Sequence, residues 1–424
     1  MASDGQRTHR LELTAAGVGK VAVMRMALEG IRVVEVSTWV AAPVCGVLLA
    51  EFGADVIRVE PLQGDPVRGL LPRGSSNIEA FNWWWEMWNR SKRGMALDLA
   101  TPEAREIVHR LTAQSDIFLT NLRPNVLERA ELDYQRLCEI SPRIIYAHIT
   151  GYGAKGRETE RPSFDALAYW TRGGFPSVLG EPDSPPVALE GAMGDHPTGG
   201  LALAGIVLAL YVRERTGVGQ KVDVSLLGSG CWVNGVDLQW ALALGSNPPR
   251  FSRRQAINPL SNSYQAGCGR WLRFCMMESD RYWPAFCKAL GRPDLESDPR
   301  FGSHFQRAAN REVLISLLEE TIASKDRDEW APLFDEYRLP WDPVQTMTEV
   351  AQDPCVLAND YITEYEHFSG RRVKSLASPI QLGETPAGVR HGAPEHGQHN
   401  EEILLELGFS WDDIERLKEK RAIL

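Results

Sequence analysis

Asp195 stands in the segment Gly194-Asp195-His196-Pro197-Thr198-Gly199-Gly200, directly ahead of the apolar run Leu201 to Tyr211. That run reads as a buried helix. The carboxylate then faces a helix N-terminus, where unpaired N–H groups and the helix dipole favour negative charge. A carboxylate so placed can attack an acyl carbon, and the same donors can stabilise the oxyanion that develops. The plainer reading of the spacing is an N-terminal helix cap.

Other residues invite chemistry and are weaker. Gly151-Tyr152-Gly153-Ala154-Lys155-Gly156 fits G-x-G-x-x-G after a strand. A dinucleotide fingerprint also needs an ensuing helix, and Arg157 to Pro162 does not read as one, so a glycine-rich site loop is the better expectation. His391, His396 and His399 sit among Gly, Pro and Glu with no cysteine, unlike a closed zinc site. Trp83, Trp84, Trp85 and Trp88 form a dense patch that reads as core or interface, with an acyl-pocket wall as the sharper alternative. Neither G-x-S-x-G nor G-x-x-x-x-G-K-[ST] occurs.

The elements that must hold these residues alternate. Ile31 to Val36, Asp55 to Glu60, Met95 to Leu99, Asp116 to Asn121, Arg143 to Ile149 and Lys221 to Leu227 read as strands. Ala41 to Phe52 reads as an apolar helix, and Thr101-Pro102-Glu103 opens another with Thr as cap and Pro in the first turn. Strands separated by helices predict right-handed βαβ units and a mainly parallel sheet. Character changes near residue 245, and a second unit is expected after it.

The chain has 424 residues, a hydrophobic share of 43% and a net charge of -10. The length predicts more than one domain. The charge argues against a nucleic-acid partner or an anionic membrane surface. No stretch reads as about 18 consecutive apolar residues, so no membrane span is expected. Cysteines 45, 138, 231, 268, 275, 287 and 355 form no C-x-x-C pair, which predicts reduced thiols and a cytoplasmic location. Residues 1–28 carry no signal-peptide core and read as an N-terminal extension.

Several segments resemble the family III CoA transferases, from about residue 28 to the end. They are Leu28 to Val36, Ala41-Ala42-Pro43, Glu51 to Glu60, Asn89 to Gly94 with Leu97-Asp98-Leu99, and Asn121-Leu122-Arg123-Pro124. Gly194-Asp195 with Thr198-Gly199, Arg215 to Ser225, Asn258-Pro259-Leu260, Tyr264 and Gly291 to Leu295 continue the match. The resemblance implies an α/β fold: a Rossmann-like large domain whose parallel sheet is built from both chain ends, a small inserted α+β domain, and an interlocked homodimer. The expected division is a large domain over 29–225, a linker over 226–250, a small domain over 251–330, and a second linker with return to the large domain over 331–424.

The resemblance also makes Asp195 the catalytic nucleophile, passing through a mixed anhydride and an aspartyl-CoA thioester. It implies CoA contacts at Val40, Ala41, Leu97, Asp98, Asn121, Leu122, Arg123, Arg129 and Tyr152, with no metal and no cofactor beyond CoA as a substrate. Arg123 and Arg129 suit phosphates through charge-assisted hydrogen bonds. Val40 stands where formyl-CoA transferases have a glutamine, Pro61 replaces an arginine, and their glycine-rich loop is not visible in Ile257 to Tyr264. A larger, less polar acyl group is therefore expected, against Val40, Trp39 and the tryptophan patch. Two alternatives stand: a 2-methylacyl-CoA racemase, with Phe164 at the racemase histidine position and His196 as the nearby substitute base, and a non-catalytic CoA-binding subunit of a heteromeric transferase.

Overall fold

Six short segments, most of them carrying Val or Ile, build one parallel sheet: β1 Arg32–Val36, β2 Asp55–Glu60, β3 Arg93–Ala96, β4 Ile117–Thr120, β5 Ile145–Thr150 and β6 Lys221–Ser225. The structure, a computed structural model, describes residues 26–70 and 81–424; the expected N-terminal extension lies outside the described residues up to residue 25. The strand order is β3-β2-β1-β4-β5-β6, with every pair parallel. The order reverses between β1 and β4, and in open α/β sheets that reversal opens a crevice at the carboxyl ends of the strands.

The helices of this part are α1 Ala41–Glu51, α2 Trp83–Asn89, α3 Pro102–Ala113, α4 Pro124–Arg129, α5 Tyr134–Ile140, α6 Phe175–Val178 and α7 Asp195–Thr216. Alternating strand residues bury on opposite faces, as the pleat requires. Val33, Val56, Ile117 and Ile145 join α1 and α7 in one core. Val34, Ile57, Phe118 and Tyr146 join α3 and the C-terminal residues Ile403, Leu404, Ile414 and Leu417 in the other. The chain end thus returns to the first domain. His399 Nδ1 accepts the Gly94 N–H at 3.0 Å and fastens that return to β3.

Between these parts lies a third core of Tyr264, Phe274, Phe286, Leu318, Trp330 and Phe334. It backs a three-stranded antiparallel sheet of β7 Ser263–Gln265, β8 Trp271–Phe274 and β9 Trp341–Pro343. A hairpin, β10 Ile362–Glu366 and β11 Arg372–Leu376, packs on α2 through the Tyr365 hydroxyl, which donates to Glu86 at 2.7 Å.

Three expectations change. β3 stops at Ala96: the Leu97 N–H still bonds Glu60 O at 2.8 Å, but Leu97 then pairs with Ile423 near the chain end. Residues 226–250, expected as a linker, carry α8 Leu226–Val233 and α9 Gly235–Leu244; the Ser225 hydroxyl accepts the Gly228 N–H at 2.9 Å and ends β6 early. The helix expected over Leu201 to Tyr211 starts at Asp195 and runs 22 residues. By length and composition it is apolar enough to cross a membrane, although, as expected, it holds no run of about 18 consecutive apolar residues. One side, with Ala202, Leu203, Ile206 and Ala209, packs in the sheet's core, while Val207, Leu208, Tyr211 and Val212 are exposed.

Candidate active site

The crevice at the sheet's reversal is a cavity of about 260 Å³. The loop after β1 supplies Thr38 to Ala41, the loop after β4 supplies Asn121 to Pro124, and the end of β5 supplies Ile149 to Gly151. Arg161, Ser163, Phe164, Leu226 and Asp195 complete much of the wall. Asn121 stitches the two sides together: its Oδ1 accepts the Thr38 N–H at 3.0 Å, and its Nδ2 donates to Thr38 O at 2.6 Å.

Asp195 is the first residue of α7, and neither the capping role nor the expected set of donors is present. The Asp195 and His196 amides both bond Ala192 O, at 3.1 and 3.3 Å, Pro197 has no N–H, and the Thr198 amide bonds Gly194 O at 3.4 Å. The first turn consumes its own donors. Among the described residues, no donor reaches the Asp195 carboxylate. Burial first, and the Asp165 carboxylate second, push its pKa up to about 8.

Unused amides lie across the cavity instead. In α1 the first bonded amide is that of Val44, to Val40 O at 2.8 Å, and Pro43 has none. This leaves the N–H groups of Val40, Ala41 and Ala42 without acceptors among the described residues, with no side chain capping the helix. Gly199 lets α7 lie against this turn, since a Cβ there falls 2.9 Å from Ala41 O.

Neighbours fix the loop before Asp195. Asp165 accepts the Gly194 N–H at 3.1 Å and the Ala166 N–H at 2.8 Å, where the wide turn Ala166–Thr171 begins. Gly194 packs on Tyr169 so closely that a Cβ would come 2.6 Å from the ring. The Trp88 indole N–H donates to His196 Nε2 at 3.2 Å, and burial lowers the His196 pKa, so the imidazole is held neutral.

Of the residues picked from sequence, Val40, Ala41, Asn121, Leu122 and Arg123 share the cavity wall with Asp195. Leu97, Asp98, Arg129 and Tyr152 do not. The Leu97 side chain is buried in the core below, so it has no surface to offer a ligand. The Asp98 N–H bonds Ala422 O at 2.9 Å, and Arg129 is exposed in the last turn of α4. The Tyr152 ring lies under the guanidinium groups of Arg161 and Arg172.

The tryptophan patch does not form the wall. Trp85 donates to Pro394 O at 3.1 Å and stacks under Arg68, so it faces the C-terminal return; the aromatic wall is Trp39 with Phe164, edge to face at 5.2 Å. The three C-terminal histidines serve separate contacts: His391 with Gly392 O, His396 with Pro61 O, and His399 with Gly94. Arg161 also lines the cavity, and its signal in the sequence is the run of basic residues Lys155, Arg157 and Arg161 after a glycine-rich loop.

The family model described as CoA-transferase family III matches residues 28–400. The chain is 31% identical to an (R)-2-hydroxy-4-methylpentanoate CoA-transferase of Clostridioides difficile, over 94% of this chain and 100% of that one. It is 32% identical to a cinnamoyl-CoA:phenyllactate CoA-transferase of Clostridium sporogenes, over 93% and 97%. The crystal structure of a CAIB/BAIF family protein from Brucella suis superposes with a TM-score of 0.80 at 30% identity, covering 91% of this chain and 100% of that one. With a doubly wound sheet, a carboxylate in its crevice and a match across nearly its whole length, the chain belongs to the family III CoA-transferases.

Proposed function

We propose that Asp195 carries CoA from an acyl-CoA donor to a carboxylic acid acceptor. Its carboxylate attacks the thioester carbonyl, the C–S bond breaks, and CoA leaves as the thiolate, giving an acyl-aspartyl anhydride. The thiolate attacks the aspartyl carbon of that anhydride, releasing the donor acid as its carboxylate and leaving an Asp195-CoA thioester. The acceptor carboxylate then attacks the aspartyl carbon and expels the thiolate, which attacks the acceptor's acyl carbon and restores Asp195. No proton is gained or lost over the cycle, and thioester energy is kept because no step uses water. The observation that carries this reading is a carboxylate with no hydrogen-bond donor, sharing a crevice with the unbonded amides at the start of α1. Those amides suit the oxyanions of the thioester and anhydride steps.

The cavity is smaller than the ~300–1,000 Å³ usual for a whole ligand, so it takes the reacting end of the acyl-CoA. Arg123 and Arg129, at the two ends of α4 and without ion-pair partners among the described residues, are suited to the phosphates. Asp98 and Tyr152 remain for the outer part of CoA. Trp39, Phe164 and Val40 favour a branched or aromatic acyl group. Relatives named for a branched 2-hydroxy acid and for cinnamoyl and phenyllactyl groups support that choice. The racemase reading is not favoured, because His196 is turned to Trp88 and no histidine lines the cavity among the described residues.

A homodimer belongs to the same reading. Helix α9 buries none of its residues, and Trp232 and Val236 on α8 and α9 are 77% and 87% exposed. A ten-residue apolar helix is not stable alone in water, so a second copy is the expected cover.

Incubating the protein with cinnamoyl-CoA and mapping peptides by mass spectrometry after hydroxylamine tests the mechanism. A CoA adduct or a hydroxamate on Asp195 is the expected result. Turnover with Asp195 unmodified, or adducts elsewhere, overturns it.

A further inference from the structure

Beside the cavity the protein buries a chain of ions. Lys92 Nζ meets Glu35 Oε2 at 2.8 Å, Glu35 Oε1 meets Arg58 Nη1 at 2.5 Å, and Arg58 Nη2 meets Asp65 Oδ2 at 2.5 Å. The side chains of Lys92, Glu35 and Arg58 are wholly shielded from solvent. The Ser37 hydroxyl donates to Glu35 at 2.7 Å, and Lys92 donates to Pro43 O in the first turn of α1 at 3.0 Å. Gly46 leaves room for the chain, since a Cβ there falls 2.0 Å from Glu35 Oε2. Ions buried this deeply bring little net stability over apolar residues of the same volume, so their use is better sought in geometry.

The chain ends on the main chain of the site. Asp65 Oδ2, the oxygen that binds Arg58, also accepts the Trp39 N–H at 3.1 Å. Trp39 has a φ of 63°, in the left-handed region that bulky residues avoid. Such a conformation persists only where the surroundings over-determine it. The residue so held puts its indole in the cavity wall, edge-on to Phe164. The next residues, Val40 and Ala41, carry unbonded amides in the same wall. The other oxygen of Asp65 caps the turn Pro66–Gly69 through the Val67 N–H at 2.8 Å, so the carboxylate itself is fixed from several sides.

We infer that Asp65 is a positioning residue that sets the acyl-chain selectivity of the cavity by holding Trp39 in its left-handed turn. The inference rests on the transferase reading above. Asp65 touches no substrate; it acts through the Trp39 amide, and the chain of Arg58, Glu35 and Lys92 holds its carboxylate in place.

The test compares the unmodified protein with Asp65→Asn, Trp39→Ala and the double variant. The rate of Asp195 adduct formation is measured with cinnamoyl-CoA and with acetyl-CoA, each in a single turnover without acceptor. Each single substitution is expected to lower the aromatic-over-acetyl preference roughly 5- to 10-fold, the scale of one lost aromatic contact, and the double variant no further. Asp65→Asn leaves one acceptor oxygen for the three donors of Trp39, Arg58 and Val67, so hydrogen exchange at the Trp39 amide is expected to speed up. An unchanged preference in Asp65→Asn, or single effects that multiply in the double variant, overturns the inference. Asp65→Glu keeps the charge beside Arg58 but displaces the oxygen from Trp39, and it gives the same readouts if Asp65→Asn does not fold. If the unmodified protein forms no adduct with either donor, the transferase reading fails by itself. The Asp65–Trp39 link is then judged on amide exchange, where faster exchange in the variants supports it and unchanged exchange overturns it.

Discussion

Asp165 Oδ2 accepts the Gly194 N–H at 3.1 Å, so one carboxylate grips the main chain immediately before a second, that of Asp195. The grip places Asp195 at the crevice and also brings a like charge near it. Asp165 thereby fixes the position of the proposed nucleophile and, after burial, adds to the rise in its pKa.

The pH dependence follows. In the proposed mechanism Asp195 attacks as an anion, and burial with the Asp165 charge holds its pKa up at about 8. Adduct formation by the free protein should therefore rise with pH and level off above about 8. The other charges at the cavity are those of Arg123 and Arg161, and His196 beside Asp195 is held neutral. Asp165→Asn keeps an acceptor for Gly194 and deletes the charge, so the midpoint should move to lower pH. Single-turnover rates across the pH range decide this; an unmoved midpoint in Asp165→Asn would show that the charge is not what Asp195 feels.

Stability should change in the opposite sense to activity at Asp195. A carboxyl whose folded pKa is raised from 3.8 to about 8 stabilises the fold in its protonated form, and that contribution is lost as pH climbs between the two values. Asp195→Asn removes the dependence. Urea unfolding should find the variant equal to the parent near pH 4 and more stable at pH 8, by roughly 1–2 kcal/mol after allowance for partial exposure. Its turnover should fall on the order of 10⁴-fold. A variant less stable than the parent at pH 8 contradicts the argument.

Gly199 and Gly200 form a matched pair. A Cβ on Gly199 meets Val44 Cγ1 at 2.7 Å and Ala41 O at 2.9 Å, whereas one on Gly200 meets nothing within 4 Å. Gly199→Ala should cost about 1–3 kcal/mol as an overpacked contact, and slow adduct formation by shifting the start of α1. Gly200→Ala should gain about 0.5–1 kcal/mol as a helix-interior glycine replaced by alanine. Thermal melts of the two variants separate a specific close approach from a general intolerance of side chains in this turn.

The exposed faces of α8 and α9 predict assembly. Placing charge there with Trp232→Glu and Val236→Glu should convert a dimer into a monomer in light scattering, with α9 then unprotected in hydrogen exchange. A monomeric parent protein sinks the dimer reading outright.

Much of the frame was legible in the residues themselves. The alternation of apolar strands and helices predicts the parallel sheet, and Thr101-Pro102 predicts the cap and first turn of α3, where Thr101 accepts the Ala104 N–H. Resemblance to the family brought Val40, Ala41, Asn121, Leu122, Arg123 and Asp195 together in advance, and the crevice holds all six. These features depend on local pattern and chain order, which a sequence carries directly.

The tertiary structure alone decided which donors are free and which aromatics face the site. The first turn of α7 uses its own amides on Ala192 O and Gly194 O, so the unbonded ones are those of α1. The dense patch Trp83 to Trp88 turns toward the C-terminal return and His196, and the lone Trp39, through Asp65, becomes the wall. Trp39 meets Phe164, Asp165 meets Gly194 and Glu35 meets Lys92 across wide gaps in sequence. Strand order and register bring such pairs together, and a helix or strand period holds no information about them, because it describes only a residue's neighbours within its own element.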